Sequence, residues 1–375
     1  MSGSDKFLMI TSEFPPGPGG IGNHAYNLAK YLKINGKEIK VLTVSDYTGK
    51  AESENFDKLQ NFEITRFERY GNRVKTYLER ISHIKKNLRE GNFTHVIFSG
   101  RFALFCCAML SREKYRAKFI SIVHGGDINT SEVIQRGLIN KALEKSDLVV
   151  PVSNFSKTFI KAKISPEKIT VIPNGFDLDD MDGISLHEKN SNGGKLDLVT
   201  VGTVWPRKGH HNVFKALPKL LKEYPELKYN IVGRHADLSL VKTYFDDEAF
   251  SNIVKITGQV SDKVKIEILS KSDIFILLSE TQTSGDFEGF GIAVIEANYF
   301  GLPAIGSKSS GLEDSINNGV SGMLVDPKDP DDILNAVKLI SENYSEFSKN
   351  AREWALQHHW SGIVKRYITA INDIK

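Results

Sequence analysis

The chain has 375 residues, of which 40% are hydrophobic and 25% charged, with a formal net charge of +3. That length predicts two or three domains, and the composition excludes a disordered or fibrous chain. The apolar run 103–110 is less than half of what crosses a bilayer, so no transmembrane helix is expected. The first residues carry no apolar leader and no cleavage site. The two cysteines, Cys106 and Cys107, are adjacent and make a poor structural disulfide, which predicts a reducing, cytoplasmic setting. Residues 1–180 hold 27 Lys+Arg against 20 Asp+Glu, leaving 22 against 26 for the rest. The basic first half would draw an anionic partner, though a solvated surface reads the same way. No nucleic-acid partner is expected.

In chain order, 7–11 reads as a short apolar strand, and the Pro- and Gly-rich run 12–20 cannot be regular structure. Residues 21–32 read as a helix with Ala25, Leu28, Ala29 and Leu32 on one face and Gly36 as its stop. Strands follow at 39–44, 95–98, 119–123, 148–152 and 169–172, most separated by a helix-length segment. Such apolar strands alternating with helices predict a parallel sheet covered on both faces. Periodicity fades over 177–195, then the alternation restarts with strands at 198–201, 229–232, 254–256, 274–278, 303–306 and 322–325. From Pro330 onward the chain reads as helical throughout, with Trp354 and Trp360 as packing anchors. The expectation is α/β: two Rossmann-like domains, 1–178 and 179–358, whose parallel sheets face across a cleft. The terminal helix, 359–375, would return to the first domain. In open α/β sheets ligands sit at the carboxyl ends of the strands.

Several motifs could carry chemistry. Gly17-Pro18-Gly19-Gly20-Ile21-Gly22 matches G-x-G-x-x-G formally and would take a dinucleotide, with Asp46 on the ribose. Residues 12–16 intervene between strand and loop, and Pro18 lacks an amide, so the better reading is a helix N-terminus suited to an anion or a sugar. No P-loop, H-E-x-x-H or C-x-x-C occurs. Asp177-Leu178-Asp179-Asp180 resembles a metal-binding D-x-D but reads better as a solvated turn. The strongest constellation is Glu288-Gly289-Phe290-Gly291-Ile292, followed by Glu296. A carboxylate ahead of a small-residue turn can accept from sugar hydroxyls, the amides of Phe290, Gly291 and Ile292 can face a diphosphate, and Glu296 can accept from ribose. Glu296 lies within an apolar run, where a carboxylate is costly without a partner. Arg207 and Lys208, after the first strand of the second domain, can neutralise a diphosphate and its leaving charge without a metal. His124, followed by Gly125, Gly126 and Asp127, ends a strand of the first domain and points into the expected cleft.

Together these residues resemble the retaining glycosyltransferases of family 4, the group 1 glycosyl transferases, which have the GT-B fold. The resemblance runs along nearly the whole chain. It takes in Glu13-Phe14-Pro15-Pro16, Gly19 to Gly22, His124-Gly125, Val152-Ser153, Ile172-Pro173-Asn174-Gly175 with Asp177, Pro206 to Gly209, Gly258-Gln259-Val260, Gly285 to Gly291, Glu296 and Gly322. Within the family the chain resembles bacterial phosphatidylinositol mannosyltransferases and hexosyl- or mannosyltransferases of surface polysaccharide and lipopolysaccharide assembly. The resemblance implies a GDP- or UDP-sugar donor on the second domain and a glycan or lipid-linked acceptor on the first. By it, Arg207, Lys208, Thr203 and Gly22 border the diphosphate, Glu296 the ribose, and Val260 the base. Glu288 with Gly289, Phe290, Gly291 and Ile292 would position the sugar. His124, Glu288 and Lys208 would be catalytic, and Gly19, Gly20 and Asp127 would border the acceptor. It implies retention of configuration by a front-face path with no protein nucleophile, no cofactor and no metal. Many members carry Gly-Arg where this chain has Gly202-Thr203, so one of the two phosphate cations is absent or Arg207 replaces it.

The segment 73–89 sets Arg73, Lys75, Arg80, Lys85, Lys86 and Arg89 around Val74, Leu78, Ile81, Ile84 and Leu88. It reads as a basic amphipathic helix lying on the anionic inner face of the cytoplasmic membrane, or as a surface helix packed on its own sheet. Rival readings of the whole are a GT-B sugar-nucleotide epimerase, an NAD-dependent oxidoreductase using Gly17 to Gly22, and a non-catalytic sugar-binding module.

Overall fold

The computed structural model describes residues 5–17, 19–45, 49–68, 71–177, 194–239, 241–242 and 248–374. The chain divides into two compact units, Met1–Gly175 with Trp360–Lys375, and Phe176–His359. These junctions fall three residues before and one residue after the expected boundaries at 178 and 358. The reason is local. Gly175 lies against the Trp360 indole, where a Cβ would sit 2.9 Å from the ring, whereas the Phe176 amide donates to the His358 carbonyl at 3.1 Å.

The first unit comprises β1 (Lys6–Thr11), α1 (Gly20–Ile34), β2 (Glu38–Val44), α2 (Lys50–Lys58), β3 (Glu63–Phe67), α3 (Arg73–Glu90), β4 (His95–Ser99), α4 (Arg101–Met109), β5 (Lys118–Val123), α5 (Val133–Lys145), β6 (Leu148–Pro151) and α6 (Asn154–Thr158). Among the described residues its sheet has six strands in the order β3-β2-β1-β4-β5-β6, every neighbouring pair parallel. The central strands are apolar on both sides because helices cover both faces. Cys106 and Cys107 lie reduced and buried in α4, and burial raises both thiol pKa values, that of Cys107 to about 12.

The second unit comprises β7 (Lys195–Val201), α7 (His210–Glu223), β8 (Glu226–Val232), α8 (Glu248–Ser251), β9 (Val254–Gly258), α9 (Asp262–Lys271), β10 (Ile274–Leu277), α10 (Ile292–Tyr299), β11 (Ala304–Ser307), α11 (Leu312–Ser315), β12 (Gly322–Val325), α12 (Pro330–Glu342) and α13 (Tyr344–Leu356). Its sheet, again six parallel strands among the described residues, runs β12-β11-β10-β7-β8-β9. Numbered within each unit, both sheets follow the doubly wound order 3-2-1-4-5-6. Their topological switch points therefore fall between β1 and β4, and between β7 and β10, where ligands of such sheets bind.

The terminal helix α14 (Trp360–Asn372) belongs to the first unit and packs on α1. Trp360, Ile363, Val364, Tyr367 and Ile371 are buried at three- and four-residue spacing, which is one helical face. Each such large side chain contributes roughly 1.5–3 kcal/mol by leaving water.

Three expectations need correction. The stretch 169–172 is not a strand: it makes one bridge, Ile169 to Val149, and two amide bonds to β6, and is bounded by Pro166 and Pro173. The run from Pro330 is interrupted at Asn343 and again before Trp360. In α3, Ile81, Ile84 and Leu88 pack into the core and Arg80 is buried, while Val74 and Leu78 are 68% and 60% exposed. The predicted stripe thus divides between core and surface. Asp46, Pro18, residues 178–193 with Asp179 and Asp180, and the Arg73 side chain lie outside the described residues.

Candidate active site

The switch point of the second sheet gathers the charged groups of that unit. After β7 the chain makes a short turn, Pro206–Lys208, opened by a proline and closed by Gly209 in the left-handed region (φ 67°). A Cβ at Gly209 would lie 1.6 Å from the Leu278 carbonyl oxygen, so only glycine lets this turn approach the end of β10. The Glu280 amide donates to the Arg207 carbonyl at 2.9 Å and ties the two loops together.

The loop after β10 is anchored by the buried Phe287 and Phe290, which hold Glu288 between them. One oxygen of Glu288 accepts from Arg207 Nη1 and from Lys208 Nζ, each at 2.6 Å. Arg207 Nε also lies 3.0 Å from Asp286. Burial pushes the Glu288 carboxyl up, but the Lys208 and Arg207 charges overcome it and hold the pKa down to about 2. Against burial, the Glu288 and Asp286 charges raise the Arg207 pKa, whereas burial lowers that of Lys208 in spite of Glu288, in a site largely withdrawn from water.

Gly291, also left-handed (φ 86°), caps α10; the Val294 amide donates to the Gly291 carbonyl at 2.9 Å, and the amides of Ile292 and Ala293 come too early for a bond within the helix. Glu296 lies one turn further, its side chain 14% exposed, with Lys265 Nζ of α9 at 3.4 Å. Glu296 raises the Lys265 pKa, burial opposes this, and Asp262 adds to it. The costly carboxylate of the apolar run thus has its partner. Val260 is half-buried between the end of β9 and Ser261, whose hydroxyl caps α9. Thr203 is half-buried beside Gly202, against which the Lys208 stem packs.

In the first unit, the Ser12 amide donates to the Ser99 carbonyl across its switch point at 3.0 Å. His124 ends β5. Its Nε2 is 2.9 Å from Ser99 Oγ, and burial pushes its pKa down to about 3, so the imidazole is neutral. Asp127 accepts from the His124 amide at 2.9 Å and the Gly125 amide at 2.7 Å. The Arg101 guanidinium donates to the Gly126 and Asp127 carbonyls. The His124 loop is thus fixed from both sides. Burial raises the Asp127 pKa to about 6 against those amide bonds.

Gly20 begins α1, and a side chain there would meet open space. Glu13 sits beneath the glycine turn: a Cβ at Gly19 would lie 2.0 Å from its Oε2, and it accepts from the Gly22 amide. Burial lifts the Glu13 pKa to about 6, opposed by the Gly22 amide and assisted by Asp127.

Two family profiles match the chain: Glycosyltransferase Family 4 over residues 18–180 and Glycosyl transferases group 1 over residues 184–355. The chain belongs to glycosyltransferase family 4. Among curated relatives of this glycosyltransferase is the GDP-mannose-dependent monoacylated alpha-(1-6)-phosphatidylinositol monomannoside mannosyltransferase of Corynebacterium glutamicum, 26% identical, spanning 88% of this chain and 87% of that one. Another is the putative colanic acid biosynthesis glycosyltransferase WcaL of Salmonella typhimurium, 27% identical, spanning 62% of this chain and 56% of that one. Among solved structures, a Rickettsia africae glycosyltransferase superposes with a TM-score of 0.76 at 20% identity, covering 99% of both chains. Anabaena HepE, crystallised with UDP and glucose, superposes with a TM-score of 0.76 at 19% identity, covering 98% of this chain and 100% of its own. The fold is accordingly GT-B.

In this glycosyltransferase, Arg207, Lys208 and Glu288 meet at one point, and Gly289 to Ile292 lead from it into the helix that carries Glu296. Asp127, expected on the acceptor side, accepts from the His124 and Gly125 amides and so braces the loop that carries His124. At the Gly17 to Gly22 turn the Gly22 amide is taken up by Glu13, which counts against the dinucleotide reading of that loop. Sequence reasoning placed Glu13 and Asp286 within motifs but gave them no role, and it missed Lys265, Ser99 and Arg101 as members of these clusters. It also missed Glu280, which accepts from Asn212 at 2.6 Å and pairs with His211 and Lys328 at 3.0 Å each.

Proposed function

We propose that this glycosyltransferase moves a hexosyl group, mannose first among candidates, from a nucleoside-diphosphate sugar to a glycan or lipid-linked acceptor. The product would be a surface polysaccharide or glycolipid. The observation that carries this reading is the convergence of Arg207 and Lys208 on Glu288 at the switch point, one short turn before the amide end of α10. Two fixed cations suit a diphosphate and its leaving charge without a metal. Glu288 then turns to the sugar hydroxyls, the amides of Phe290 to Ile292 face the phosphates, Glu296 takes the ribose, and Val260 borders the base. The His124 loop and the turn at Gly19 and Gly20 receive the acceptor.

The bond from the anomeric carbon to the diphosphate breaks, and the acceptor oxygen bonds to that carbon on the same face. The acceptor proton passes to the leaving diphosphate, with configuration retained. Support for mannose and a lipid-linked acceptor comes from the activity for which the Corynebacterium glutamicum relative is named. The test is incubation with GDP-mannose or UDP-glucose and polyprenyl- or phosphatidylinositol-linked acceptors, with the product anomer read by NMR. An α product from an α donor supports the reading, and an inverted product contradicts it.

A membrane-apposed acceptor gains support from α3, where the exposed Val74 and Leu78 share a face with Lys85 and Arg89. Among the described residues no helix is long and apolar enough to cross a membrane. Co-sedimentation with phosphatidylglycerol vesicles should fall severalfold in the double variant Lys85→Glu/Lys86→Glu. Unchanged co-sedimentation would remove the membrane from the account.

A further inference from the structure

The first and last helices of the chain meet at a polar contact that the proposed chemistry leaves unused. Tyr367 of α14 and His24 of α1 are both buried, and the Tyr367 hydroxyl lies 3.0 Å from His24 Nε2. The His24 ring stands against His124, with centroids 4.8 Å apart and planes at 78°. Trp360 closes on His24 as well, at 5.1 Å and 67°. Three stretches of sequence, near residues 24, 124 and 360–367, thus assemble one chain of contacts ending on the strand-end histidine. On its other side, Ser99 Oγ lies against His124 Nε2 at 2.9 Å.

A phenol and an imidazole buried together are costly unless they bond, and an aliphatic pair would pack the same helix interface more cheaply. We propose that Tyr367 and His24 are positioning residues for His124. The Tyr367 hydroxyl fixes the proton and the plane of the His24 ring. That ring forms the wall against which His124 rests, while Ser99 occupies Nε2. Nδ1 of His124 is then the atom presented to a substrate. The returning C-terminal helix therefore contributes to the setting of the His124 side chain as well as to the core. This inference rests on the reading that His124 serves the transfer reaction.

The test is Tyr367→Phe, which keeps the buried ring and removes only the hydroxyl. Ring nitrogens are followed by NMR of 15N-histidine-labelled protein, and donor turnover by GDP or UDP release from GDP-mannose and UDP-glucose. The expected result is that the signals of both His24 and His124 move and that kcat falls about fivefold, the size of one neutral hydrogen bond, with KM for the donor unchanged. In a His124→Asn background the same change should cost nothing further, because the two residues act as a unit. A shift confined to His24, with His124 signals and kcat unchanged, overturns the inference. Losses that simply multiply in the double variant do the same, since they mark a purely structural role. Wild-type kcat in His124→Asn alone refutes the underlying reading of His124 instead.

Discussion

Glu288→Gln removes one charge from the centre of the candidate site while keeping its shape. Glu288, Lys208 and Arg207 side chains are 11%, 14% and 21% exposed, so solvent screens their interaction little. Breaking a buried pair typically costs about 3–5 kcal/mol, because the remaining partners stay buried and uncompensated. The low end, about 3 kcal/mol, applies, since Asp286 stays 3.0 Å from Arg207. At about 2–4 °C per kcal/mol for a unit of this size, the melting transition should fall by roughly 6–12 °C.

The pH dependence has a definite sign. The Glu288 pKa is depressed in the fold from 4.5 to about 2, so its contribution is complete above pH 4.5 and lost as pH falls toward 2. The gap between wild type and variant should close over that window. Binding should move the other way: with the internal carboxylate neutralised, Lys208 and the Arg207 Nη1 group are released toward phosphate, and GDP or UDP should bind about tenfold tighter, about 1.4 kcal/mol. Turnover should drop, because the sugar loses its acceptor. Calorimetric titration, differential scanning across pH and a turnover assay check all four. A variant that binds nucleoside diphosphate no tighter than wild type would refute the idea that Glu288 competes for the phosphate cations.

Lys208→Ala should lower turnover by about 100-fold with a smaller effect on donor affinity, as for other groups that stabilise developing charge; wild-type turnover would exclude that role. His210 is buried with neither ring nitrogen partnered, and burial pushes its pKa down to about 3, with Lys208 and His211 adding to this. In the unfolded chain it protonates near 6.5, so it costs stability increasingly as pH drops below that value. His210→Leu should therefore raise the urea midpoint more at pH 4.5 than at pH 7, and equal shifts at the two pH values would contradict the assignment.

The alternation of apolar strands with helices placed most of both sheets, because buried parallel strands leave an unmistakable run of β-branched residues. The edge strand β3 escaped notice for the opposite reason: Glu63, Thr65 and Arg66 are exposed or half-buried, and its apolar content is thin. Helix α2 buries only Ser53, so no stripe betrayed it. In the site, the local geometry from Glu288 to Glu296 was legible, since an eight-residue spacing needs no tertiary knowledge. The pairing of Glu288 with Arg207 and Lys208 joins residues about 80 apart, and Glu296 with Lys265 joins residues 31 apart. Only the strand order brings such pairs together. Asp127 shows the same limit: its place three residues past His124 is plain in the sequence, but its bonds to the His124 and Gly125 amides exist only once the loop has folded.

The central claim, a nucleoside-diphosphate site in the second unit, is tested most directly by calorimetric titration of GDP, UDP and NAD into the metal-free protein and into Glu296→Ala. The account predicts micromolar binding of one nucleoside diphosphate, weakened by about 1–3 kcal/mol in the variant as the ribose contacts are lost. Binding of NAD alone, or nucleoside diphosphate binding indifferent to Glu296, would contradict it.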